Sequence, residues 1–296
     1  MPSVGFCHHG PARPLSGPPA GQTQKGVIRF LVMDTPRLGQ TPARPEQSGP
    51  RVTGWARSVV IALDRGIFVF AGHWVPVFNA FLAVYVGLPF LAPVFMHIGW
   101  VFPATLIYAF YGPFCNQFAH HSWFLFGAQS YYQTSTFQAY TGIDPNSLAG
   151  LLAVRAFVGN PVMGYKVAIC ERDVAIYGAM LVCGVIFGLP SVQRRLKPAP
   201  WWAWFLVGIV PIGIDGFWQL FTTYPYNTLL TFLSFLPTHE SSPLLRTLTG
   251  GLFGLANIWL AYPYFEASMR EAREELKIKL ARVDANGRGG EAALRR

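Results

Sequence analysis

Long apolar runs separated by short polar segments dominate the chain from residue 75 to residue 265. A helix of about twenty apolar residues, rising about 1.5 Å per residue, can cross the hydrocarbon core of a bilayer. The pattern predicts an all-α, polytopic bundle of about five transmembrane helices, at residues 75–95, 98–112, 173–189, 201–221 and 244–265. The second run is short, and its prolines would permit a kinked helical hairpin instead.

Differences in composition divide the chain into four parts. Residues 1–55 are rich in Pro, Gly, Ser, Gln and Arg, which predicts a disordered tail, and Met33 is an alternative start to Met1. Three charged residues interrupt the apolar residues 56–72, which favours an interfacial helix. The other parts are a transmembrane domain at residues 73–265 and a charged helix with a polar tail at residues 266–296.

The connection between the second and third spans, residues 113–172, is long, polar and aromatic. It is predicted to form an aromatic loop on one face of the bundle. A short amphipathic helix is expected from Ser147 to Val158, with Ser147 as its cap. Loops of this length are uncommon unless they are functional or disordered, so a functional loop is expected.

Composition supports membrane insertion. Hydrophobic residues make up 52% of the chain, aromatic residues 15% and charged residues only 12%, whereas soluble domains carry about 25% charged residues. The mean hydropathy is +0.32, and the aromatic content fits belts at the membrane interfaces. The net charge of +9 lies mostly in tails and loops. It indicates orientation in the membrane rather than nucleic-acid binding.

The distribution of basic residues predicts the orientation. Residues 191–200 carry three basic residues, whereas residues 222–243 carry none. Basic loops lie on the cytoplasmic side, so a multi-pass protein of the cell membrane with a cytoplasmic C-terminus is expected. The N-terminal part conflicts with this assignment, because residues 1–66 carry eight Lys and Arg against three acids. An additional pass through residues 56–72 would place that tail inside.

This topology collects unusual polar residues on the outer side of the membrane. The ends of spans two and four and the starts of spans three and five all fall there. Charged groups beside hydrocarbon are costly and therefore indicate function. The predicted polar cluster contains Cys115, Gln117, Cys170, Arg172, Asp173, Asp215, Gln219, Glu240 and Arg246.

The cysteines of this cluster leave three interpretations open. The chain has four cysteines, and no pair has CxxC spacing. Cys115 and Cys170 could form a disulfide, bind a soft metal ion, or simply be small buried side chains. Cys183 is expected to serve packing alone. The histidines at 120, 121 and 239 could join a metal site, although interfacial histidines usually do not.

The other polar residues also have structural alternatives. Asp173 could cap a helix or belong to the site, and Ser242 is expected to cap the next helix. Asp215 should pair with Arg172 or Arg246, either functionally or as a buried structural pair. Glu240 with Arg246 could perform acid–base chemistry or form a surface salt bridge.

One glycine spacing favours packing over phosphate binding. Gly250 and Gly254 have the GxxxG spacing of closely packed membrane helices.

Five motifs follow one another along the chain. They are Cys115-Asn116-Gln117, His121-Ser122-Trp123-Phe124-Leu125-Phe126-Gly127, Cys170-Glu171-Arg172-Asp173-Val174-Ala175-Ile176-Tyr177, Asp215-Gly216-Phe217-Trp218-Gln219-Leu220 and His239-Glu240-Ser241-Ser242, continuing to Gly254. In this order they resemble the domain of unknown function 2085 family of prokaryotic integral membrane proteins. The resemblance covers roughly residues 75–265. Asn116, His121, Asp173 and His239 depart from the family pattern, which has His, Arg, a second Cys in many members, and Arg at these positions.

Three functions are consistent with these observations. The first is a thiol-redox or metal site in the outer cluster. The second is a transporter or lipid-handling protein in which Arg172 and Arg246 hold an anionic headgroup or solute and Asp215 acts as a coupling group. The third is a structural or accessory subunit.

The bilayer is the expected partner, with a lipid or small anionic ligand as a further one, and nucleic acid is not expected. Whether the protein is an enzyme, and which cofactor it uses, stay open.

Overall fold

The computed structural model describes residues 54–223, 226–229, 232 and 235–294, with side chains described as far as residue 285. Almost all of the predicted disordered tail, including Cys7, lies outside the described residues. The structure is 74% helical, which confirms the all-α class.

The first helix is long and kinked. Helix α1 spans Trp55–His97 and joins the predicted interfacial segment to the first predicted span. His73 has non-helical backbone angles (φ −132°, ψ 15°). Pro76, three residues later, cannot donate a backbone hydrogen bond and crowds the preceding turn, which explains the kink. Helix α2, Val101–Tyr111, then packs back against α1.

The long connection folds into a small sheet with short helices around it. Strands β1 (Phe124–Leu125), β2 (Gly159–Asn160) and β3 (Gly164–Lys166) form an antiparallel sheet in the order β1-β3-β2. Helices α3 (Thr134–Thr141) and α4 (Leu148–Ala156) lie between β1 and β2. The sheet was not predicted.

The predicted cap of α4 is confirmed. The Ser147 hydroxyl accepts a hydrogen bond from the Gly150 N–H at 3.0 Å. The bond satisfies one of the free amide groups in the first turn.

The C-terminal half contains five more described helices. The Ser242 hydroxyl accepts a hydrogen bond from the Leu245 N–H at 3.2 Å, so its predicted capping role is confirmed. The last helix runs unbroken from the predicted fifth span into the charged segment. The helices are α5 (Glu171–Phe187), α6 (Pro190–Arg195), α7 (Trp201–Thr222, with a π-helical turn at Phe205–Ile209), α8 (Tyr226–Leu229) and α9 (Pro243–Leu294).

Helix α5 packs closely against α9, and glycines allow the approach. A Cβ atom at Gly254 would lie 2.2 Å from the Ile176 carbonyl oxygen, and one at Gly250 would lie 2.8 Å from the Arg172 carbonyl oxygen. Only a residue without a side chain fits such distances. The packing role predicted for this GxxxG spacing is therefore confirmed.

The predicted number of five spans is not confirmed. By length and composition, three helices of the described chain can cross a membrane: α1, α7 and the Pro243–Ala285 part of α9. Helix α2 is apolar but has 11 residues, about 16 Å, against a hydrocarbon core of about 30 Å. Helix α5 has 17 residues and begins with three charged side chains.

Candidate functional site

Two thiols and a carboxylate meet where α2 ends and α5 begins. Cys115 follows α2, Cys170 immediately precedes α5, and Asp173 lies in the first turn of α5. The two sulfur atoms and a carboxylate oxygen of Asp173 all lie within 4.8 Å of one another. The Cys170 N–H donates a hydrogen bond to Cys115 Sγ at 3.3 Å. We call these three side chains the thiol cluster.

The Gln117 side chain fixes the loop that carries Cys115. Its Nε2 donates hydrogen bonds to the Tyr108 carbonyl at 2.8 Å and the Ala168 carbonyl at 2.9 Å. These bonds link the end of α2 to the segment before Cys170. Gln117 has a positive φ of 53°, a conformation that non-glycine residues adopt only where the surroundings stabilise it. Gln117 thus positions the thiol cluster.

Both cysteines of the thiol cluster are free thiols. A hydrogen bond with Cys115 and burial raise the pKa of the Cys170 thiol well above its ordinary value. Cys170, not Asp173, occupies the cap position of α5, so the capping role considered for Asp173 is wrong. The Asp173 carboxylate lies in the first turn, where the helix dipole favours negative charge.

A second group of polar side chains surrounds Asp215 on α7. Arg172 Nη2 lies 2.5 Å from Asp215 Oδ2, and His239 Nε2 lies 3.2 Å from Oδ1. The Thr249 hydroxyl approaches Oδ2 at 3.5 Å. Of the two partners predicted for Asp215, the structure selects Arg172.

Arg246 forms a separate ion pair with Glu171. Its Nη1 lies 3.1 Å from Glu171 Oε2, and the two side chains are only 4% and 1% exposed. Glu240 instead accepts hydrogen bonds from the Thr134 N–H at 3.0 Å and hydroxyl at 2.5 Å. Of the two alternatives for Glu240 with Arg246, the surface salt bridge is not formed between these two described residues, and acid–base chemistry stays a prediction.

The last predicted cluster residue, Gln219, lies one turn after Asp215. Its Nε2 is 3.1 Å from His121 Nε2. The histidines lie apart from the thiol cluster: within the described chain, the metal-type group of three consists of Cys115, Cys170 and Asp173 alone. Burial lowers the pKa of His120 to about 3 and that of His121 well below its ordinary value.

The start of α5 connects all of these groups. Cys170 and Asp173 contribute to the thiol cluster, Glu171 pairs with Arg246, and Arg172 pairs with Asp215. Successive residues of a helix point about 100° apart, whereas residues three apart share a face. The first turn of α5 therefore distributes four consecutive side chains among three neighbouring groups.

Lys166 is a buried polar residue that the sequence did not single out. It lies in β3 and is fully buried. Its Nζ donates hydrogen bonds to the carbonyls of Gln117 and Arg155, both at 2.7 Å. Burial lowers its pKa to about 7. No periodic or motif signal around it separates it from an exposed loop lysine.

The helical fold and its long apolar helices define an integral membrane protein. The family model described as "Predicted membrane protein (DUF2085)" matches residues 161–260. This match covers α5, α7 and the first part of α9, and it confirms the resemblance over residues 161–260. The motifs at Cys115–Gln117 and His121–Gly127 lie outside the matched residues.

A curated archaeal protein is also similar. It is the "Uncharacterized protein MJ1492" of Methanocaldococcus jannaschii, 24% identical over 199 residues, which are 65% of this chain and 92% of the relative. No solved structure matches the chain.

Proposed function

We propose that this protein is a membrane-embedded metal-binding protein whose thiol cluster holds a soft divalent ion such as Zn²⁺. The observation that carries the proposal is the approach of Cys115 Sγ, Cys170 Sγ and an Asp173 oxygen to within 4.8 Å of one another. Tetrahedral zinc with bonds of about 2.3 Å to sulfur places its ligand atoms roughly 3.8 Å apart. Small side-chain movements would bring the three groups to that spacing.

The donor types also suit such an ion. Thiolates select zinc and other soft metals, and a carboxylate oxygen is a common third ligand. Three protein ligands leave one tetrahedral position for water or a substrate, as in catalytic zinc sites. The Gln117 hydrogen bonds provide the support that ordered metal sites require around their ligands.

Metal analysis of the purified full chain tests the proposal. The protein would be prepared in a Cys7→Ser background, dialysed against Zn²⁺ or Co²⁺, and analysed by elemental mass spectrometry and by cobalt–thiolate absorption. About one ion per chain is expected, and Cys115→Ser or Cys170→Ser should abolish both signals. Cys183→Ser is the matched control, because Cys183 lies within α5 and outside the cluster. Equal metal content in all three variants would overturn the proposal.

A thiol-redox function is the second candidate, supported by the contact between the Cys170 N–H and Cys115 Sγ. In that case the two thiols would lose two protons and two electrons to an external oxidant and form a disulfide. Mass spectrometry without reductant distinguishes the candidates: a Cys115–Cys170 crosslink with no bound metal favours the redox function. The metal function is preferred because a redox pair does not require the nearby Asp173 carboxylate.

The transport and accessory functions receive less support. The transport hypothesis uses Arg172 and Arg246 together to hold an anion, but Arg172 is paired with Asp215, and Glu171 occupies Nη1 of Arg246 and leaves only Nη2 available. An accessory role predicts a co-purifying protein partner. A cell-membrane location with a cytoplasmic C-terminus is part of the proposal and can be tested by labelling single cysteines from either side of the membrane.

A further inference from the structure

A small polar cavity lies at the N-terminal end of α9, apart from the thiol cluster. Its volume is about 220 Å³, below the roughly 300–1,000 Å³ typical of sites for drug-sized ligands. Its walls come from the connection and from the segment that leads into α9. They are formed by His120, Tyr132, Gln133, Glu240, Ser241, Ser242, Pro243 and Arg246.

Two residues of the cavity wall carry a buried polar atom without a hydrogen-bond partner among the described residues. These atoms are His120 Nδ1 and Arg246 Nη2, and the residues are 8% and 3% exposed. The Ser241 hydroxyl is buried beside them and also lies near the Asp215 carboxylate. A buried polar group without a partner costs about 1–3 kcal/mol, and more if it is charged. Two such groups beside one cavity favour a ligand that supplies the missing bonds.

The available groups are suited to an oxygen anion. Arg246 Nη2 is available as a donor, because the contact with Glu171 uses the other nitrogen, Nη1. Ser241 Oγ can donate, and a neutral imidazole can donate through Nδ1. Burial keeps His120 neutral by lowering its pKa to about 3. The first turn of α9, starting at Pro243, adds the positive end of the helix dipole.

We propose that this cavity binds the carboxylate or phosphate group of a small molecule or lipid headgroup, held by Arg246, Ser241 and His120. This site is independent of the proposed metal site. Glu240 also lines the cavity, with Oε1 engaged by Thr134. Its negative charge opposes an anion, so the ligand's affinity is limited by this residue.

Binding can be measured on the full chain in nanodiscs of phosphatidylcholine, titrated separately with inorganic phosphate and with acetate while thermal unfolding is followed. At least one of the two anions should stabilise the protein. Ser241→Ala and Arg246→Lys should each weaken that binding about tenfold, the effect of losing one hydrogen bond to a charged group. Arg246→Lys keeps a cation for Glu171 and removes the second guanidinium nitrogen.

Two further variants make the test specific. Glu240→Gln should tighten binding because it removes a like charge while an amide oxygen can still accept from Thr134. Ser191→Ala, an exposed serine of α6, should change nothing. A parallel measurement uses nanodiscs that contain phosphatidic acid. If these nanodiscs stabilise the protein and the free ions do not, the bound anionic group belongs to a lipid. Absence of binding in every arm, or binding that Ser241→Ala and Arg246→Lys leave unchanged, overturns the proposal.

Discussion

The Glu171 carboxylate and the Arg246 guanidinium form a buried ion pair, 3.1 Å apart, between the first turns of α5 and α9. A buried pair of this kind contributes little compared with an apolar replacement, but removal of one partner leaves an uncompensated charge. It links the two helices that also approach through Gly250 and Gly254.

Removal of one partner should destabilise the protein strongly. Glu171→Gln is expected to lower the free energy of unfolding by about 3 kcal/mol. Denaturant unfolding in detergent, followed by circular dichroism, measures the change. Glu274→Gln is the control, because Glu274 forms an exposed pair with Lys277 at 3.8 Å and such pairs contribute about 0–1 kcal/mol. Equal effects of the two substitutions would contradict the structural role of the buried pair.

A methyl group at Gly254 should separate α5 from α9. Alanine favours a helix over glycine by about 1 kcal/mol, but here its Cβ would lie 2.2 Å from the Ile176 carbonyl oxygen. The clash should prevail, and Gly254→Ala should destabilise by about 1–3 kcal/mol. Gly251→Ala is a matched control on the same helix, since no described atom beyond its chain neighbours and the nearby backbone of its own helix lies within 4 Å of its Cβ position. It should be neutral or slightly stabilising in the same unfolding assay.

Several locally encoded features were predicted correctly. Ser147 and Ser242 were recognised as caps because a cap is defined by the few residues around it. The cap considered at Asp173 was wrong because that helix begins at Glu171, two residues earlier. The GxxxG spacing was interpreted correctly because close helix contact requires small residues at one-turn intervals.

Features that depend on the rotation of one helix against another were not predicted. The choice of Arg172 over Arg246 as the partner of Asp215 requires knowledge of which faces of α5, α7 and α9 meet. The three strands have two or three residues each, too few to show a period. Lys166 is buried by contacts from distant segments, which a single sequence does not reveal.

Stability should fall in mild acid because of His120. Burial lowers its pKa to about 3 in the folded chain, against about 6.5 when unfolded. The unfolded chain therefore binds more protons at this residue between these values, so the contribution of His120 to stability is fully present above about pH 6.5 and is lost as the pH falls towards about 3. His121, whose pKa burial also lowers, acts in the same direction. The slope should approach about 1.4 kcal/mol per pH unit for this residue.

Unfolding measured between pH 7.5 and pH 4.5 checks this expectation. His120→Phe should reduce the slope, because phenylalanine does not titrate and the ring position already stacks on Phe118. His73→Phe is the control, since His73 is hydrogen-bonded to a carbonyl at an exposed position. A slope unchanged in His120→Phe would show that other groups cause the acid sensitivity.

The carboxylate of the thiol cluster provides the sharpest test of metal binding. If Asp173 is a ligand, Asp173→Asn should weaken Zn²⁺ binding about tenfold, whereas Asp173→Cys should tighten it by supplying a third thiolate. The family pattern, with a second cysteine at this position in many members, agrees with tighter metal binding by a cysteine. Competition with a chromogenic chelator measures both changes. Asp144→Cys adds a thiol at an exposed site in the connection and should leave the affinity unchanged. Equal affinities of the chain with Asp173, with Asn and with Cys at this position would exclude a ligand role for the residue.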